Sequence, residues 1–223
     1  MFIGHYSAAL AAKAAEPRAP LWVYVGGCQL LDIAWSVAIM TGVEKVGFDP
    51  ALPGSVLVLE SMPYTHSLPA SLLWSLAAAV AVRFLMRLPW RAAVAAGLVV
   101  FSHWVLDFVC HRPDLELWFG GTKVGLGWWN FPMSELALEL GLVALAAAAW
   151  TARRVRMGQP ALPALVFLLN LIVVQIVSLT TPAPSDPIAL GRGALIVFLY
   201  FTALAWLVER ERKVKSAKAR AAA

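Results

Sequence analysis

The sequence is short of charge. Asp, Glu, Lys and Arg together make up 14% of its 223 residues, where ordinary soluble domains carry about 25%. A soluble fold of this length has too much surface to cover with so few charges. With 61% hydrophobic residues and a mean hydropathy of +0.74, the bilayer is its natural solvent. Cysteine is scarce too: Cys28 and Cys110 fall in different apolar runs and at different expected depths, so no disulfide is expected. Residues 1–20 carry Glu16, two prolines and no cleavage pattern, so no secretory signal peptide is expected there. There is no repeat of 20–50 residues and no inverted pair of interrupted spans, which weakens a transporter reading. The short alternating segments of a transmembrane β-barrel are also missing.

What is present is a series of long apolar runs, at 21–42, 66–86, 92–111, 131–150, 162–181 and 192–208. Pro and Gly punctuate every gap but the first few residues, among them Asp49-Pro50, Pro53-Gly54, Pro89, Gly120-Gly121 and Gly158. A span takes roughly 20 apolar residues. The expected fold is therefore all-α: a polytopic membrane bundle of about six transmembrane helices plus a short N-terminal helix. Residues 1–209 would form one transmembrane domain and 210–223 a basic cytoplasmic tail. Fourteen of the 18 basic residues fall on one side of this arrangement, including Lys13, Arg83, Arg153, Arg154 and the six from Arg210 onward. The positive-inside rule makes that side cytoplasmic. The expected location is a bacterial inner membrane, multi-pass, with both termini in the cytoplasm. On this basis the pI of about 9.5 reports topology and contact with membrane lipids, and no nucleic-acid partner is expected. An oligomer is left open.

An ionisable side chain near the bilayer centre costs about 2.5–3.5 kcal/mol or more, so each one needs a reason. Asp32 is mid-span in the first run, about 11 residues from either end, and needs a partner, a proton or a metal. In Ser102-His103-Trp104-Val105-Leu106-Asp107, the His and Asp are four apart and share a helical face. Imidazole nitrogen and carboxylate oxygen are zinc ligands; the alternative is an Asp–His hydrogen bond that locks helices together. His111 lies a further turn on. Thr65-His66-Ser67 opens the second run, where Thr65 or Ser67 could cap the helix or orient the imidazole. Glu135 and Glu139 share a face near the start of the fourth run, with Ser134 as a candidate cap. Spans five and six offer only Asn170 and Gln175 as large polar groups. His5, in Gly4-His5-Tyr6, reaches mid-membrane if residues 2–15 form a helix dipping into the bundle, and lies far from the site if they rest on the surface.

In this order, Gly-His, a first-span Asp, Thr-His-Ser, Ser-His-x-x-x-Asp and a Glu opening the next span, the motifs resemble those of the bacterial membrane-bound metal-dependent hydrolases. The resemblance covers roughly residues 1–140. It implies that His5, Asp32, His66, His103, Asp107 and Glu135 are candidate metal ligands. Two positions depart from that family's pattern. Its H-R-G-x-T-H-S reads Ser61-Met62-Pro63-Tyr64-Thr65-His66-Ser67 here, so the first His is replaced by Met62. Its D-x-D reads Asp32-Ile33-Ala34. These losses leave one metal or none, with Glu60 as a nearby substitute.

Three functions follow. The first is a membrane-embedded metal-dependent hydrolase, with a divalent metal (zinc by ligand type) facing the periplasm and a phosphoester or lipid-linked substrate. Glu135 or Glu139 would be its catalytic base, and His111 with Arg112 would meet an anionic substrate. The second is a permease or ion-coupled carrier that uses the intramembrane carboxylates. The third is a structural or assembly protein. The loops at 43–64 and 112–130 are expected to cover the site.

Overall fold

The computed structural model describes residues 1–182 and 184–221, with side chains as far as residue 210. It is mainly helical. Among the described residues there are eight α-helices in the order α1 (His5–Ala15), α2 (Leu21–Cys28), α3 (Leu30–Met40), α4 (Leu68–Phe84), α5 (Trp90–Cys110), α6 (Pro132–Arg156), α7 (Leu162–Thr180) and α8 (Pro187–Ala221). The side chains of the expected basic tail beyond Arg210 and the last two residues lie outside the described residues, while the α8 backbone stays helical to Ala221.

Four helices are long and apolar enough to cross a membrane: α5, α6, α7 and the Pro187–Arg210 part of α8. The expected count of about six is not reached by length. The 21–42 run is no single rod, because α2 and α3 meet at Gln29 with a bend of 47° and together make at most a fifth, broken span. The 66–86 run yields only the 17 residues of α4, about 26 Å of helix. Ser67 starts α4 by accepting a hydrogen bond from the Ala70 amide. Its end is set by a left-handed residue, Arg87 at φ 56°, followed by Pro89.

The bundle is built around the N-terminus. Helix α1 is mostly buried and packs against α6, α2 and α5. The main core surrounds it, with Ile3, Tyr6 and Leu10 against Tyr24, Phe167 and Phe201. At its far end, Lys13 pairs with Glu209 of α8 at 2.6 Å and donates to the Ala19 carbonyl at 2.7 Å. Helices α4 and α5 touch closely through small residues: a Cβ at Gly97 would lie 3.0 Å from the Ser75 carbonyl oxygen, and the Ser75 hydroxyl donates to the Gly97 carbonyl at 2.6 Å. This is the close approach that small residues allow between membrane helices. The outward faces of α4, α7 and α8 expose Leu73, Leu76, Leu169, Ile176 and Ile196, as lipid-facing surfaces do. Asn170, which looks isolated in its apolar run, bonds the Tyr200 hydroxyl of α8.

The two long loops are not irregular. Residues 43–64 contain an antiparallel pair, β1 (Lys45–Phe48) with β2 (Leu57–Ser61), and residues 112–130 a shorter one, β3 (Leu115–Glu116) with β4 (Lys123–Val124). The hairpins lock together. Glu116 accepts from the Met62 and Gly120 amides, Asp114 accepts from the Leu59 amide, and Lys123 donates to the Leu59 and Glu60 carbonyls. Beneath them Trp35, Leu59, Met62, Trp104 and Leu115 form a second small core. This cap sits at the end of α5 that carries the His/Asp motif.

Candidate metal centre

All four histidines of the chain meet at one place. Helix α5 supplies His103 and Asp107 one turn apart on its buried face. Helix α3 supplies Asp32. The break at Gln29 puts Asp32 in the first turn of a new helix, where the helix dipole favours an anion, and the His66 and His103 imidazoles lie beside its Oδ1. His66 comes from the residues leading into α4. His5 begins α1, so the N-terminal helix does dip into the bundle and brings its imidazole to the cluster.

The distances are regular. His66 Nε2 lies 3.3 Å from Asp32 Oδ1 and 3.7 Å from Asp107 Oδ2. His103 Nε2 lies 3.4 Å from Asp32 Oδ1 and 3.0 Å from Asp107 Oδ2. The other oxygen, Asp107 Oδ1, is 3.1 Å from His5 Nε2, 3.6 Å from His111 Nε2 and 3.4 Å from the Met1 nitrogen. Ligands held at 2.0–2.2 Å around a tetrahedral ion are separated by about 3.4 Å.

Each histidine for which a back partner is seen is held from behind. His103 Nδ1 donates to the Cys28 carbonyl at 2.7 Å. Cys28 ends α2, and the last carbonyls of a helix lack partners within it. The Thr65 hydroxyl donates to Glu44 Oε2 at 2.6 Å, which commits its proton, so His66 Nδ1–H donates to the Thr65 oxygen at 2.8 Å. His111 Nδ1 faces Asp114 Oδ1 at 3.3 Å, and its ring packs on Trp129. In all three the back nitrogen carries the proton, and the Nε2 lone pair is left to point into the cluster. Carboxylate, carbonyl or hydroxyl partners of this kind are what fix metal-binding histidines.

Orphaned atoms give a direct test of fit. His103 Nε2 and both ring nitrogens of His5 are buried without a hydrogen bond. The nearby carboxylate oxygens are within ion-pair distance but off the ring N–H axis. Leaving such atoms unsatisfied costs about 1–3 kcal/mol each. Two triads, His5/His103/Asp107 and Asp32/His66/His103, bring ligand atoms within 4.8 Å of one another. The residues therefore fit a cation: these buried His and Asp groups could hold a metal ion. The donors are imidazoles and carboxylates, because Cys28 bonds its own helix and Cys110 is a buried free thiol.

The remaining candidates are placed differently. Glu139 is buried on α6, with one oxygen accepting from the Phe2 amide and the other unbonded. Glu135 is half-buried one turn earlier on α6. Ser134 does not cap α6, which starts at Pro132 with no side-chain cap. Arg112 does not face the cluster: its guanidinium donates to Asn130 Oδ1 and the Pro53 carbonyl and ties the two loops together. His111, expected at the substrate, stands instead beside Asp107. Glu60 is exposed on β2 and substitutes for nothing in the site. The sequence reading missed Glu44, Asp114 and Trp104, whose indole donates to the His66 carbonyl at 3.0 Å. The only signal available for Glu44 and Asp114 was charge inside loops already expected to cover the site.

No family model, curated protein or solved structure matches the chain.

Proposed function

We propose that the protein is a membrane-embedded metal-dependent hydrolase, with zinc as its metal and a phosphoester or lipid-linked substrate. The observation that carries this reading is the convergence of Asp32, His66, His103 and Asp107, with separations of 3.0–3.7 Å and with both histidines held from behind. The resemblance of the motif order to the membrane-bound metal-dependent hydrolases points the same way. A divalent cation held there supplies a Lewis acid for a phosphoryl or carbonyl oxygen and acidifies water.

The chain's own part is positioning and proton handling. Glu44, acting through Thr65, keeps the His66 lone pair turned inward. The Cys28 carbonyl does the same for His103. Glu139, with its free oxygen, is the group to accept a proton. The hairpin cap excludes bulk water from the apolar side. With six spans counted, α2–α3 and α4 among them, the basic ends of α1, α6 and α8 face the cytoplasm and the cap faces the periplasm of a bacterial inner membrane.

Elemental analysis of protein purified in detergent tests this. Wild type should carry stoichiometric zinc, lost in His103→Ala together with phosphodiesterase activity on a chromogenic substrate. Equal, substoichiometric metal in both proteins refutes it. A carrier reading draws on one observation, the helix break beside Asp32, since discontinuous helices build ion sites in transporters. Gradient-driven uptake by proteoliposomes, abolished in Asp32→Asn, would favour it.

A further inference from the structure

We infer that the cluster is a two-cation centre in which the Asp107 carboxylate is the bridge. One cation is held by Asp107 Oδ2 with Asp32, His66 and His103, and the second by Asp107 Oδ1 with His5 and His111. The inference rests on the metal-centre reading above and extends it to a site that the motif order does not imply.

The first ground is valence. An imidazole Nε2 has one in-plane lone pair, so His103 cannot serve both triads in which it appears. A carboxylate has two oxygens, and those of Asp107 face different partners: Oδ2 faces His66 and His103, and Oδ1 faces His5, His111 and the Met1 nitrogen. The second ground is the geometry of the stacked rings. His5 and His103 lie parallel, 4° apart in plane, with centroids separated by 3.8 Å. Each Nε2 stands beside a different oxygen of the same carboxylate, at 3.1 and 3.0 Å. The offset of the stack sets the two Nε2 atoms beside two points, not one. Their offset matches the roughly 3.5–4 Å between ions in two-metal hydrolytic sites.

The third ground is preparation of the second set. His111 is held by Asp114 behind it and packs at a tilt against Trp129. It follows the last residue of α5, where an extended backbone (φ −63°, ψ 149°) turns its ring back toward Asp107. His5 is buried to 1% with neither nitrogen bonded. A buried histidine without a hydrogen bond, 3.1 Å from a carboxylate oxygen that another prepared histidine also faces, is accounted for by an ion between them. Centres with this spacing clamp both the attacking and the leaving oxygen of an in-line displacement, which suits the phosphoester substrate proposed above.

The test is a Mn2+ titration of metal-stripped, detergent-purified protein, read by bound stoichiometry and by electron paramagnetic resonance. Wild type should bind two ions per chain and give an exchange-coupled spectrum. His111→Ala, and independently His5→Gln, should bind one ion per chain with an uncoupled six-line signal. Wild type saturating at one ion, with His111→Ala unchanged, overturns the second site and leaves the first. Binding of no ion by wild type overturns the metal-centre reading itself. The wild-type stoichiometry decides even where a variant fails to fold.

Discussion

Replacing Thr65 by Val is the cleanest probe of the centre, because it removes one hydroxyl and almost no volume. That hydroxyl joins Glu44 Oε2, 2.6 Å away, to His66 Nδ1, 2.8 Å away. Without it the His66 tautomer is no longer enforced, and the ring is no longer tied to Glu44. Loss of an outer partner of a ligating histidine weakens metal affinity by about 10–100-fold, or about 1.4–2.8 kcal/mol. The cost to the metal-free fold is of similar size, about 1.5–3 kcal/mol, although Glu44 Oε1 keeps the Tyr64 and Thr65 amides at 2.8 and 3.0 Å. The two effects separate experimentally. Zinc affinity is read by competition with a chromophoric chelator, and apo-protein stability by thermal unfolding in the same detergent. Thr65→Ser, which keeps the hydroxyl, should bind within a few-fold of wild type. Wild-type affinity in Thr65→Val, or equal weakening in Thr65→Ser and Thr65→Val, would refute the relay.

Two further outcomes follow from the fold. Lys13→Met removes a buried cation from Glu209 and from the Ala19 and Pro17 carbonyls; breaking a buried pair on one side costs about 3 kcal/mol or more, so the melting temperature should fall by roughly 5–10 °C, and an unchanged melt would remove the anchor ascribed to α1. Exposed cysteines at Thr122→Cys in the cap and Met157→Cys at the basic end should react oppositely with a membrane-impermeant maleimide, the first in intact cells and the second only after lysis. Cys28 and Cys110, both fully buried, should stay silent, and reaction of both positions in intact cells would contradict the orientation.

The pieces of the site differ in how they could be read. His103 and Asp107 were legible because a helix makes positions four apart neighbours, which needs no tertiary information. That Thr65 or Ser67 would cap the helix or orient His66 was legible, but only the structure assigns the cap to Ser67 and the imidazole to Thr65. Asp32 was visible as an anomaly, but its explanation was not. The Gly26-Gly27 pair is the only hint of the break at Gln29, and hydropathy averages across it. His5 stood between two arrangements of α1 that the sequence leaves open, since a weakly amphipathic, Ala-rich helix suits either. Glu44 and Asp114 are carboxylates in loops, where charge is ordinary; only the folded hairpins make them partners of His66 and His111.

By itself, the sequence determined a mainly helical chain with apolar helices able to cross a membrane, because apolar runs leave their mark residue by residue along the chain. It also set out the chemistry available: four imidazoles and a few intramembrane carboxylates, with no thiolate pair. Tertiary structure alone decided that one apolar run breaks, that another gives a short helix, and that α1 enters the core. It decided too that the two oxygens of Asp107 face separate pairs of histidines. Those outcomes depend on contacts between residues far apart in sequence, and no local pattern encodes where two lone pairs will meet.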